Sequence, residues 1–232
     1  MIKKASDTLI DFEYYIKGKN PKLLIHSGTH GDEFEVIDLV KEAIVKYEDL
    51  LPDFLFVPYV SPSAVKHKIR FNSSGLDTNR IFFADTDEIE VMENIKILKH
   101  HTFDLFVSFH EDPESEEYYI YDSGLDKIDN IFVKQHNFFL RSNGIKLLNG
   151  LDDVNDPSLG YEFKDGYRKF IETNGMTNNG MTTVWAISEG IAKNCLVPEI
   201  PGLLDIKQKE LIVDSFFLNV LCNFRNSSGI LH

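Results

Sequence analysis

The sequence predicts an α/β fold with a largely parallel sheet, and three observations carry that expectation. Short apolar runs at 22–26, 54–60 and 103–109 read as buried strands. The stretches 34–47 and 89–98 instead space their apolar residues at a helical period. Strand and helix therefore alternate along the chain, the order that builds parallel sheets covered by helices. With 232 residues, 43% of them hydrophobic and 12% aromatic, the chain can bury one substantial core, so a single domain over 1–232 is expected.

The first element is a β-branched and aromatic run from Thr8 to Ile16, closed by the turn cluster Gly18-Lys19-Asn20-Pro21. A second strand resumes at Lys22 to His26, which predicts a hairpin opening the sheet. In the helix from Phe34 to Tyr47 the apolar positions are Val36, Ile37, Val40, Ala43, Ile44 and Tyr47, and Asp32, Glu33 and Glu35 supply the negative charge that a helix N-terminus favours. Phe54 to Val60 is a strand, Ile89 to Leu98 a helix and Phe103 to Phe109 a strand. Ile128 to Leu140 is helical in period, Thr182 to Ser188 and Cys195 to Ile200 read as strands, and Lys207 to Phe224 as a closing amphipathic helix. Asn149 to Met181 is rich in Asn, Asp and Gly and reads as a long loop, with a short helix around Tyr167 to Glu172.

Charge narrows the function. A formal net charge of −13, from 24 basic and 37 acidic residues, opposes binding to nucleic-acid phosphates or anionic membrane surfaces, and no basic run offsets it. Two cysteines, Cys195 and Cys222, are too few for a disulfide framework and suit buried reduced thiols. No apolar stretch long enough for a signal peptide core or a membrane span is seen, so a cytoplasmic location is expected.

The chemistry-bearing residues begin at Ser27-Gly28-Thr29-His30-Gly31-Asp32-Glu33, where an imidazole and a carboxylate stand three apart between a strand end and a helix start. Glycines on either side free the backbone to turn sharply and bring both side chains to one point. Two neighbouring histidines compete for attention. His26 lies inside a strand and reads as a core residue, and His101-x-x-Asp104 repeats the spacing at a helix end, where a structural role is the simpler reading. A catalytic zinc needs three protein ligands and an open position, and His110, ending the strand 103–109, is the natural third. Between these lies Arg70-Phe71-Asn72-Ser73-Ser74-Gly75-Leu76-Asp77-Thr78-Asn79-Arg80, which brings two guanidinium groups and an amide into a loop, suited to holding a carboxylate.

His30-x-x-Glu33 after a strand, Arg70 ahead of Gly75-Leu76-Asp77-Thr78-Asn79-Arg80, His110 ending a later strand and Glu199 within Val197-Pro198-Glu199-Ile200-Pro201-Gly202 together resemble the zinc carboxypeptidases of the M14 class. The resemblance runs in order from about Leu23 to Gly202, and the segment 104–121 is most similar to a bacterial branch of small M14-like peptidases. It implies a three-layer α/β/α fold with a central mixed, largely parallel sheet, of the zinc carboxypeptidase or phosphorylase/hydrolase-like kind. It further implies one Zn²⁺ per chain on His30, Glu33 and His110, with Asp77 orienting a zinc histidine. Arg70 would polarise the scissile carbonyl, Asn79 and Arg80 would hold the substrate's free carboxylate, and Glu199 would be the general base, with Glu111 and Glu189 as alternatives. The sequence departs from the family's digestive members in lacking a tyrosine between Gly175 and Glu189, and Tyr161 and Tyr167 are the substitutes on offer.

The implied activity is hydrolysis of an amide bond beside a free carboxylate, with a small peptide as substrate. A deacylase of the succinylglutamate desuccinylase and aspartoacylase kind, acting on N-acyl amino acids, would use the same residues. Against it, about 30 residues follow Gly202, too few for the extra β-rich region usual in those enzymes. A non-catalytic M14-like binding module would be expected to lose a ligand or the base, and all four positions are filled here.

Overall fold

The structure is a computed structural model that describes residues 1–5, 10, 12–126, 129–153, 155, 159–171 and 177–227. Its centre is built from three strands with few polar positions: β3 (Leu23–His26), β4 (Phe54–Val57) and β5 (Phe103–Ser108). Leu23, Ile25, Phe54, Phe56, Leu105 and Val107 point to one face, and Leu24, Leu55, Val57 and Phe106 to the other. A strand that is apolar on both faces must be covered on both, and two helical layers do so. Helices α1 (Phe34–Tyr47), α4 (Ile131–Ser142) and α6 (Ile206–Phe216) pack on the first face. Helices α3 (Ile89–Leu98) and α5 (Thr182–Ser188) pack on the second.

Among the described residues, nine strands form one sheet in the order β1-β2-β4-β3-β5-β11-β7-β10, with β6 pairing β11 beyond the end of β5. The strands not yet given are β1 (Ile2–Ala5), β2 (Glu13–Lys17), β6 (His110–Asp112), β7 (Tyr119–Gly124), β10 (Tyr167–Ile171) and β11 (Ala192–Pro201). Pairings β3·β4, β3·β5, β5·β11, β6·β11 and β7·β10 are parallel, while β1·β2, β2·β4 and β7·β11 are antiparallel. The sheet is thus mixed and mostly parallel between two helical layers.

Five sequence expectations need correction. The opening hairpin does not form: β2 pairs with β1 and β4, and β4 lies between β2 and β3. Fully buried β3 takes a central position, whereas half-exposed β2 suits a place near the edge; residues 6–9 and 11, part of the same run, lie outside the described residues. Thr182–Ser188 is a helix, because Thr182, Trp185 and Ala186 bury one helical face and Trp185 packs on Phe82 at 5.6 Å between ring centroids. Packing overrides the β-branched composition there.

Residues around Tyr167 form a strand, since Tyr167 and Lys169, two apart, both bond to the buried carboxylate of Asp122 at 2.6 and 3.1 Å; Glu172 lies outside the described residues. The long loop also holds a small ribbon, β8 (Gly150–Leu151) with β9 (Glu162–Phe163). The closing helix is interrupted by a π turn over Phe217–Leu221 before α7 (Cys222–Ser227). Cys195 is buried and Cys222 half-buried. Among the described residues no helix is long and apolar enough to cross a membrane.

A short helix, α2 (Pro62–His67), sets the floor beneath the loop that follows β3. Its N-terminus is held by buried Glu90 of α3, whose carboxylate accepts from Ser61 Oγ at 2.6 Å and Ser63 N at 2.7 Å. Glu90→Ala leaves both donors unsatisfied and is expected to cost about 1–3 kcal/mol. Urea unfolding should show this as a lower midpoint with an unchanged m-value.

Candidate metal centre

β3 ends at His26, and the chain leaves the sheet through Ser27 and Gly28, whose φ of +63° lies in the left-handed region that glycine tolerates. Three residues on, Gly31 passes so close to α2 that a Cβ there would sit 1.8 Å from the Ala64 carbonyl oxygen. These two glycines let the loop fold down over the C-terminal end of the sheet and start α1 at Phe34. Glu33 takes the N-cap position but makes no capping bond, so its carboxylate is turned elsewhere.

It turns to two histidines. His30 Nδ1 lies 2.5 Å from Glu33 Oε1, and His110 Nδ1 lies 3.1 Å from Glu33 Oε2. The other ring nitrogens are held from behind: His30 Nε2 is 3.0 Å from Asp77 Oδ1, and His110 Nε2 is 3.2 Å from Ser108 Oγ. One ligand atom from each of His30, Glu33 and His110, all three buried, can be chosen so that all lie within 4.8 Å of one another. Two imidazoles and a carboxylate, with the remaining nitrogens anchored to a carboxylate and a hydroxyl, are a donor set that fits a catalytic zinc.

Strand register delivers the fourth group. In the parallel ladder of β6 with β11, Glu199 stands opposite His110, and on its other side it stands opposite Tyr119 of β7. Burial raises the Glu199 carboxyl, outweighing the pull of His110, and with Glu33 and Asp112 pushing the same way it reaches about 7. Glu33 goes the opposite way, to about 2, because His110 and His30 outweigh its burial. His30 rises to about 9, its burial overcome by Glu33 and by hydrogen bonds to Asp77 and Glu33. Asp77, although burial alone would raise it, is held well below the carboxylate range by His30, Arg70 and the Asn79 backbone N–H.

The residues of the 70–80 loop meet the same cavity. Arg70 donates through Nε and Nη2 to Asp77 Oδ2, at 3.1 and 2.8 Å. Asn79 Oδ1 accepts from the backbone and hydroxyl of Thr182, both at 3.0 Å, which ties the loop to α5. Arg80 donates to the Asn79 carbonyl at 3.0 Å. His30, Glu33, Arg70, Asp77, Asn79, Arg80, His110 and Glu199 all line one cavity of about 810 Å³.

The other candidates fall outside it or do other work. His26 is fully buried with neither ring nitrogen bonded, edge-on to Phe106 at 4.7 Å, and burial followed by His110 lowers it to about 3. His101 lies tilted against Phe103 at 5.8 Å between ring centroids, and Asp104 pairs with Lys193 at 2.6 Å. Glu189 is exposed, and Glu111 is bonded to Lys209. Tyr167 binds Asp122 away from the cavity, whereas Tyr161 lines it.

Sequence reasoning missed Tyr119 and Tyr121, which form the opposite wall with hydroxyls bonded to Asp112 at 2.8 Å and Asp152 at 2.6 Å. Their alternation along a tyrosine-rich strand was the available signal, but pairing β7 with β11 required the fold.

Solved structures match across this fold. A Shewanella baltica protein designated a metallopeptidase has a TM-score of 0.74 and 19% identity, covering 96% of this chain and 86% of its own. A metallo-carboxypeptidase from Pseudomonas aeruginosa, in complex with (2-guanidinoethylmercapto)succinic acid, has a TM-score of 0.56 and 16% identity, covering 90% of this chain and 60% of its own. A succinylglutamate desuccinylase from a Silicibacter species gives 0.56 and 16%, with 93% and 61% covered. No family model matches the sequence, and no curated protein does. The chain shares its fold with metallopeptidases, metallo-carboxypeptidases and a desuccinylase, the group that the sequence resembles.

His110→Ala removes one of three converging donors and should abolish stoichiometric binding of a divalent metal, read by elemental analysis after dialysis. His26→Leu replaces a buried imidazole that has no bonded partner and should keep the metal. The reverse result would move the third ligand to His26.

Proposed function

We propose that this chain, acting as one catalytic domain, is a zinc-dependent, metallocarboxypeptidase-like hydrolase that cleaves an amide bond beside a free carboxylate. The observation that carries the reading is the convergence of His30, Glu33 and His110 with Glu199 placed beside His110 by strand register. One zinc ion per chain, held by those three side chains, would supply Lewis acidity to a carbonyl oxygen and to water.

The remaining work belongs to the chain. Burial holds the Glu199 carboxyl above its ordinary value, so it can take a proton from water and later give it to the leaving nitrogen. Asp77 holds the His30 ring in place through Nε2, and itself stays ionised because Arg70 faces it. With Nε and Nη2 of Arg70 committed to Asp77, its Nη1 is the donor available to an oxygen on which negative charge develops. The Asn79 amide nitrogen and the Arg80 guanidinium would bind the substrate's free carboxylate by charge-assisted hydrogen bonds.

A second reading, hydrolysis of an N-acyl amino acid, uses the same residues. It gains support from the likeness to a succinylglutamate desuccinylase, and from the carboxypeptidase neighbour whose bound compound is a succinic acid derivative. Both substrates carry a carboxylate next to the bond cleaved. Turnover of peptides against N-acyl amino acids, each with and without a chelator, decides between them.

Glu199→Gln keeps size and polarity but cannot take a proton, so kcat should fall by at least about 100-fold with fold and metal content intact. Because the base acts ionised, kcat/KM should rise with pH through an acid limb at or below about 7, the positive charge of a bound ion lowering it. Near-normal turnover in the zinc-loaded variant would pass the role to Glu111. Arg80→Ala should act mainly on KM, costing about 2–5 kcal/mol for substrates with a free carboxylate. Equal cleavage of free-acid and amidated peptides by the natural chain would remove the carboxylate anchor from the mechanism.

A further inference from the structure

A buried lysine stands behind the metal centre without touching it. Lys209 of α6 is 2% exposed, and its ammonium donates to Glu111 Oε1 at 2.7 Å and to Glu35 Oε2 at 2.6 Å. Glu111 directly follows His110 in β6, and Glu35 lies two residues beyond Glu33 in the first turn of α1. One cation therefore joins the two backbone segments that carry ligands from opposite ends of the site, 77 residues apart in sequence.

A buried ammonium paired with a buried carboxylate, Lys209 with Glu111, is a costly way to gain stability, since an apolar side chain of similar volume packed against α1 would usually do as well. What the trio supplies is position. The two bonds fix the distance between the start of α1 and β6 in a way that apolar contacts, which are non-directional, do not. Glu111 is buried, its second carboxylate oxygen has no partner, and Glu33 must meet His110 within 3.1 Å. The helix presenting the lysine is itself anchored by a capping box of Asp205 and Gln208, so the ammonium is offered from a rigid turn.

We infer that Lys209 is a positioning residue for the metal centre: by clamping Glu35 and Glu111 it sets the approach of Glu33 to His110 and so the affinity and geometry of the ion they hold. The inference rests on the metal-ligand reading above, and the test separates the two. Zinc dissociation constants of the natural chain, Lys209→Met, Lys209→Arg and Val213→Ala are measured by chelator competition. Visible spectra of the cobalt-substituted proteins and melting curves of the metal-free ones accompany them. Val213 is a buried apolar residue one turn further along α6, so its truncation destabilises the helix packing without touching the clamp.

Lys209→Met should weaken zinc by about 10-fold or more and shift the cobalt absorption, as losses in outer-shell support generally do. Lys209→Arg should recover most of the affinity, and Val213→Ala should stay within about 2-fold of the natural chain while melting earlier. If Lys209→Met does not fold, Glu35→Gln, which loosens one arm from the half-exposed side, is read the same way and should show a several-fold loss. Natural affinity and an unchanged cobalt spectrum in the clamp variant, or an equal loss in Val213→Ala, overturns the inference alone. A natural chain that takes up no zinc overturns the metal centre and the clamp together.

Discussion

A carboxylate buried between two imidazoles is the constraint around which this molecule is arranged. Glu33 is 3% exposed, and an ion so far from water persists only where opposite charge or directed hydrogen bonds replace its hydration. His30 and His110 provide that replacement, and each needs a partner for its second nitrogen, which Asp77 and Ser108 give. Asp77 in turn draws in Arg70 and the Asn79 backbone. The chain of dependence thus runs from one acid through two bases to a second acid and a guanidinium, each step satisfying what the last left open. Such a network is held best when complete, because any member left unpaired costs far more than its bonds contribute.

The backbone serves this network at specific points. Gly28 turns the chain through a left-handed conformation, and Gly31 lies where any side chain would meet the carbonyl of Ala64. On the far side, the end of β5 is followed at once by the short strand β6, which adds to β11 and aligns His110 with Glu199. A one-residue slip in that ladder would turn Glu199 to the other face of the sheet. The paired interior of the sheet is therefore also what fixes Glu199 beside His110.

Much of this was legible because the chemistry sits at element ends, where periodicity changes. The helix 34–47 and the helix 89–98 have their expected bounds, since both have a clear apolar stripe. The strands expected over 54–60 and 103–109 form over 54–57 and 103–108, legible because apolar residues dominate both, with Asp104 and Ser108 the polar positions of the second. Each of the eight residues read as ligand, orienting acid, anchor or base lines the one cavity. What was illegible depended on partners far away. Thr182–Ser188 looks like a strand until Phe82 gives Trp185 a helical face to pack, and Tyr167 looks helical until Asp122 is seen to bind both it and Lys169. Residue type alone also hides the lysine behind the site, as Lys209 lies in an amphipathic helix where solvent exposure is the usual expectation.

Net charge poses a last problem for a protein that would bind a carboxylate. At −13 the chain repels an anion at long range, but that field is screened within about 10 Å at ordinary ionic strength, so it acts on encounter more than on the bound state. Inside the cavity the balance is local. Glu33, Asp77, Glu199 and Asp112 outnumber Arg70 and Arg80, and the tyrosine wall adds no positive charge. A divalent cation held by His30, Glu33 and His110 would reverse that sign near the reacting carbonyl, while Arg70 is half spent on Asp77. The metal and Arg80 would then act at separate points, the ion offsetting the acids around the reacting bond and the arginine meeting the carboxylate one step away. An anionic substrate would thus be held by short-range contacts in a site whose surroundings oppose it, an arrangement that would favour ligands able to reach both centres over anions in general.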